Sequence, residues 1–123
     1  MPKKILVVDD KANIVLSLEF LMKQAGYDVR TASDGEEALA AIDADPPDLI
    51  LLDVNMPTKN GFEVCETVRA RNEWSHIRII MLTAHGRDIE REKGLALGAD
   101  DYITKPFATQ EVVSKVQELL EQS

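Results

Sequence analysis

Leu49-Ile50-Leu51-Leu52 is four aliphatic residues with no polar break, and it ends in Asp53. A strand with one wet face alternates apolar and polar residues. A short unbroken apolar run is a strand covered on both faces, as in a parallel sheet between two helical layers. The chain then leaves the sheet at once, through Val54-Asn55-Met56-Pro57 and Asn60-Gly61. Asp53 is thereby placed at the C-terminal end of a buried strand, the edge where open α/β sheets bind ligands. A lone aspartate there also suits a turn, so the other strands decide its meaning.

Ile5-Leu6-Val7-Val8 is a second buried strand, ended by Asp9-Asp10. Residues 13–24 carry Ile14, Leu18, Leu21 and Met22 at helical spacing, with Gly26 as the stop. Residues 27–32 form a short strand. Ser33 is the expected N-cap of the next helix, with Glu36 reaching back as in a capping box. That helix turns Ala38, Leu39 and Ile42 inward, and Pro46-Pro47 closes it. Asn60 caps a third helix, with Glu63 at its third position and Val64 and Val68 on its apolar face. A fourth strand lies in 77–82, ended by Thr83-Ala84, and a helix over 89–97 stops at Gly98. A fifth strand at 101–104 ends in Lys105-Pro106, and residues 109–120 form the last helix. Five strands alternating with five helices imply a parallel sheet, with helices on both faces and right-handed crossovers. With no repeat and no linker, the expectation is a single domain over 1–123, with no output domain in this chain.

The net charge of −8 argues against direct nucleic-acid binding, which needs clustered Lys and Arg. The single Cys65 excludes an internal disulfide and a cysteine-rich zinc site, and its apolar neighbours mark a packed thiol. No apolar run approaches the roughly 20 residues of a membrane helix. The first residues lead into a strand without a signal-peptide pattern, so a cytoplasmic location is expected.

Read only at the strand ends, the chain gives Asp9-Asp10, Asp53, Thr83-Ala84 and Lys105-Pro106. A parallel sheet gathers all of these on one edge. Three crowded carboxylates repel one another and call for a cation. An oxygen-only donor set with few protein ligands suits Mg²⁺. A carboxylate beside such an ion can attack phosphorus, with Lys105 and Thr83 meeting the other phosphoryl oxygens.

In these motifs, from Lys3 to Glu121, the chain resembles the receiver domain of two-component response regulators. The matching stretches are Asp9-Asp10, Asp53 to Pro57 with Gly61, Leu82-Thr83-Ala84, Gly98 to Tyr102, and Lys105-Pro106-Phe107. The resemblance implies a flavodoxin-like doubly wound sheet of order 2-1-3-4-5. It implies that Asp53 is the phosphoacceptor. Mg²⁺ would be held directly by Asp10, Asp53 and the Asn55 backbone carbonyl, and by Asp9 mostly through water. Lys105 would contact the phosphoryl group, with a cis bond to Pro106, and Thr83 and Tyr102 would form the switch pair. The implied partners are a sensor histidine kinase or phosphotransfer protein and an output partner of unknown identity.

Other readings follow from single residues. A Mg²⁺-dependent phosphohydrolase would want a carboxylate two positions past the nucleophile, where this chain has the amide of Asn55. Tyr102 serves equally as core packing. His85 is expected in an exposed loop rather than as a general base, and His76 is given no role. Glu90, Glu92, Glu118 and Glu121 read as a solvated face. Lys93, Asp100, Asp101, Glu111 and Lys115 fall on the face of the fourth helix, last strand and last helix. A weak, salt-sensitive, phosphorylation-dependent homodimer through that face is one expectation, and a monomer the other.

Overall fold

All five residues from Leu49 to Asp53 are buried, so the unbroken apolar run does lie between two helical layers. The computed structural model describes residues 2–84 and 88–121. The strands are β1 (Lys4–Val8), β2 (Asp28–Ala32), β3 (Leu49–Asp53), β4 (Arg78–Ala84) and β5 (Asp101–Lys105). The helices are α1 (Ala12–Gln24), α2 (Gly35–Ala44), α3 (Gly61–Arg69), α4 (Asp88–Ala96) and α5 (Thr109–Glu121). The strands form one parallel sheet, as the alternation predicts, in the order β2-β1-β3-β4-β5 that the resemblance implies.

The pleat divides the interior into two cores. Leu6, Val8, Ile50, Leu52, Ile79 and Met81 pack with residues of α2 and α3 on one side. Ile5, Val7, Leu49, Leu51, Ile80 and Leu82 pack with α1 and α5 on the other. Alternation along each strand carries this sorting to the strand ends. Asp9, Asp53 and Lys105 continue the α1/α5 side, while Thr83 continues the α2/α3 side. Tyr102 packs against that second side too.

Local chemistry sets the helix ends. Asn60 Oδ1 accepts from Glu63 N at 3.0 Å, and Asn60 N donates to Glu63 Oε1 at 3.1 Å, the reciprocal cap predicted for α3. The start of α2 corrects the expectation by one residue. Asp34, not Ser33, is the N-cap, accepting from Glu37 N at 2.8 Å. Ser33 N and Oγ instead donate to the Glu37 carboxylate, at 3.1 and 3.0 Å. A carboxylate is the stronger acceptor at a helix N-terminus, where donors and dipole favour negative charge. Gly26 and Gly98 stand at positive φ just beyond α1 and α4, in the stop positions predicted for them.

Two further corrections are small. β4 runs on through Thr83 and Ala84, so Thr83 is a strand residue and not the first residue after one. A 3₁₀ turn at Asn72–Trp74 was not anticipated, and it buries Trp74 beneath the Arg71 guanidinium, 4.0 Å from the ring centroid.

Candidate functional site

β1 and β3 are neighbours in the sheet, and the turn after Val8 delivers Asp9 beside Asp53. Asp9, Asp10 and Asp53 each offer one carboxylate oxygen within 4.8 Å of the others. Lys105 reaches across from the end of β5. Its Nζ donates to Asp9 Oδ2 at 2.7 Å and to Asp53 Oδ1 at 3.0 Å. The peptide bond after it, Lys105-Pro106, is cis, as the resemblance implied. Asp9 Oδ1 accepts from Lys11 N at 3.0 Å. Asp53 Oδ2 is buried, with no hydrogen-bond partner among the described residues.

That orphaned oxygen tests what the site can hold. Three carboxylates against the half-buried Lys105 ammonium leave a formal charge of −2. Lys11 adds only a largely exposed contact, 3.6 Å from Asp10. Buried acceptors without donors are costly, and a divalent cation answers both the charge and the lone pair. The donor set is all oxygen, which fits a hard ion. Asp10 is exposed and Asp9 fully buried, so the cluster opens to solvent on one side. A cleft of about 380 Å³ begins there, lined by Asp9, Asp10, Val15, Leu16, Thr31 and Glu37. Asp53 is not among its lining residues.

The electrostatics follow from burial. Burial pushes the Asp53 pKa up, the neighbouring Asp9 charge adds to this, and Lys105 opposes it. For Lys105, burial works against its charge, but the bonds to Asp9 and Asp53 outweigh that and raise its pKa. The charged form is thus favoured at Lys105 and disfavoured at Asp53.

Thr83 and Tyr102 lie on adjacent strands, with Met81 opposite Tyr102 in the register. Thr83 Oγ1 is buried with no partner among the described residues. Tyr102 is half-buried, and its hydroxyl accepts from Arg91 Nη1 at 3.1 Å. The Arg91 guanidinium lies 4.9 Å, and the Lys115 ammonium 5.2 Å, from its ring centroid. The sequence places Lys115 on this face but assigns neither cation to Tyr102, because no local pattern tells a helix charge that it faces an aromatic ring.

Other expectations are adjusted. Asp100 does not belong to a free charged face. Its carboxylate accepts from Arg69 Nη2 at 2.9 Å, Ile79 N at 2.8 Å and Arg78 Nη1 at 3.5 Å. Asp101 and Lys115 are paired within the chain at 3.1 Å. Glu92, Glu118 and Glu121 are exposed as expected. Glu90 is not simply solvated, since its Oε1 is buried without a partner among the described residues. His85 lies outside the described residues, and His76 is exposed. Cys65 is packed as expected, and burial pushes its thiol up to about 11. Asn55 lies in the exposed part of the loop after Asp53. No helix among the described residues is long and apolar enough to cross a membrane.

The family model described as the response regulator receiver domain matches residues 5–117. The alkaline phosphatase synthesis transcriptional regulatory protein PhoP of Bacillus subtilis is 49% identical over all of this chain, which spans about half of that relative's length. Among solved structures, the chemotaxis response regulator CheY4 of Vibrio cholerae superposes with a TM-score of 0.90 at 35% identity, covering 97% of this chain and 99% of that one. The receiver domain of a signal transduction histidine kinase from Syntrophus aciditrophicus gives 0.91 at 31% identity, covering 98% and 91%. Sheet order, acidic cluster and family match agree, and the chain belongs to the response regulator receiver domain family of two-component signalling.

Proposed function

We propose that this chain is a switch controlled by phosphorylation of Asp53. The observation that carries the reading is the Asp53 carboxylate itself, with Oδ1 held by Lys105 and Oδ2 buried without a donor among the described residues. Receivers of this family are signalling switches, and here the donor is a phosphohistidine of a sensor kinase or phosphotransfer protein, or a small acyl phosphate. An Asp53 oxygen attacks phosphorus. The bond to the donor breaks, its electron pair stays on the leaving group, and an aspartyl phosphate forms. A Mg²⁺ ion held by Asp10, Asp53 and the Asn55 carbonyl, and by Asp9 through water, would supply neutralisation of phosphoryl charge. Lys105 is placed to pair with a phosphoryl oxygen as it now pairs with Asp53. The chain catalyses only its own phosphorylation and dephosphorylation and has no turnover substrate.

Output runs through Thr83. Its hydroxyl, without a partner among the described residues, turns toward the new phosphoryl oxygens, and Tyr102 follows into the space vacated. Tyr102 then leaves Arg91 and Lys115, which alters the face made by α4, β5 and α5. A homodimer through that face would have to replace the internal Asp101–Lys115 pair. We place the chain in the cytoplasm, as a receiver domain without direct nucleic-acid contact.

Intact-mass measurement after exposure to acetyl phosphate and Mg²⁺ tests the reading. Wild type gains one lasting phosphoryl group and Asp53→Asn gains none. Labelling of Asp53→Asn at the wild-type rate overturns the assignment. Donor consumption without lasting label favours a phosphohydrolase.

A further inference from the structure

The loop from Val54 to Asn60, which carries Asn55, is held at its base by β3 and α3. Gly61 N donates to Val54 O at 2.9 Å. A Cβ on Gly61 would stand 2.3 Å from the Asp53 carbonyl oxygen, so only glycine allows this return. The far side of the loop rests on a different element. A Cβ on Gly35, the first residue of α2, would stand 2.1 Å from Lys59 O and 2.5 Å from Lys59 Cβ. Next to it, Glu36 N donates to Thr58 Oγ1 at 3.4 Å. Thr58 has φ 64°, a conformation that a β-branched residue adopts only when its surroundings hold it there. The bare backbone at Gly35 and the strained backbone at Thr58 are two sides of one contact.

We propose that the start of α2, through Gly35 and Thr58, is a positioning element that holds the Asn55 backbone in register with the Asp9, Asp10 and Asp53 cluster for a divalent cation. This rests on the metal reading above. The contact can yield on one side only. Ala38 and Ile42 lock α2 into the core, each with 0% exposure. Asn55, Pro57 and Thr58 are exposed. A side chain at Gly35 therefore displaces the loop and not the helix, and the displacement reaches Asn55. Gly35 and Thr58 would touch neither cation nor phosphoryl group.

Calorimetric titration of MgCl₂ into wild type, Gly35→Ala, Thr58→Val and Thr58→Ser, with thermal melts in chelator, tests this. Loss of outer-sphere support usually weakens metal affinity 10- to 100-fold, so about tenfold is expected for Gly35→Ala and a loss in the same direction for Thr58→Val. Thr58→Ser keeps the hydroxyl and retains wild-type affinity. A purely structural contact would lower the melting temperature and leave the Mg²⁺ Kd of the folded protein unchanged. If Gly35→Ala does not fold, the contrast between Thr58→Val and Thr58→Ser decides. Affinities within about twofold of wild type in the folded variants overturn the inference, since that lies well below the usual outer-sphere effect. A wild type that binds no Mg²⁺ overturns the metal reading instead.

Discussion

Lys105→Met leaves the Asp9 and Asp53 carboxylates, with side chains 0% and 5% exposed, without the ammonium that holds both. Removing one member of a buried pair commonly costs about 3–5 kcal/mol, because the partner's charge stays buried. The site has an escape that sets an upper bound, since one carboxylate can take a proton. From an ordinary carboxylate pKa of about 3.9, that costs about 4 kcal/mol at pH 7 and about 1.5 kcal/mol at pH 5. Without divalent ions, Lys105→Met should therefore lose about 3–4 kcal/mol at pH 7 and less than half of that at pH 5. Urea unfolding of both proteins in chelator at the two pH values measures this, and millimolar Mg²⁺ should return part of the loss. A deficit below about 1 kcal/mol at pH 7, the scale of an exposed pair, would refute the reasoning. An equal deficit at both pH values would refute the protonation escape.

Three further outcomes follow from the same geometry. Mg²⁺ at a hundred times its Kd should stabilise wild type by about 2.7 kcal/mol, while Asp10→Ala, a change at an exposed position, should abolish the gain in thermal melts. Asp53 has a raised pKa, so its ionised form costs the native state stability above that pKa, and the cost is absent below the ordinary value of 3.8. Asp53→Asn should accordingly stabilise the ion-free protein near neutral pH, with denaturation curves converging toward wild type as pH falls through that window. Asp100→Ala strands the donors Arg69, Arg78 and Ile79 N, and should cost about 2–3 kcal/mol in urea unfolding without changing the extent of phosphorylation.

Much of the fold was legible because burial on both faces removes alternation, and β3 announces this in four residues. The strand-end cluster was legible for a topological reason. Once the strands are parallel, Asp9, Asp53 and Lys105 must share an edge, whatever their separation in sequence. The cap of α2 was harder, because Ser33 and Asp34 are both good caps and Glu36 and Glu37 both lie within reach. Trp74 was hidden by its polar neighbours, which cover the indole with an arginine instead of an apolar side chain. Asp100 and Arg91 look alike in sequence, as charges near the last strand. Their tasks, tying α3 to β4 and bracing Tyr102, depend on which way each side chain turns.

The pleat that separates the two cores has a consequence for how such a protein can diversify. Asp9, Asp53 and Lys105 grow from one side of the sheet, and Thr83 and Tyr102 from the other. A one-residue insertion within β4 would exchange those sides and place Thr83 among the wrong neighbours, so the length of β4 sets which side each of its residues serves. Side-chain identity is much freer. Val64 and Cys65 of α3 can be repacked with Ala38 and Ile42 of α2 without disturbing Val112 and Val116 on the opposite wall. Under the proposed switch, a lineage can thus retune the wall that answers while inheriting unchanged the wall that does the chemistry.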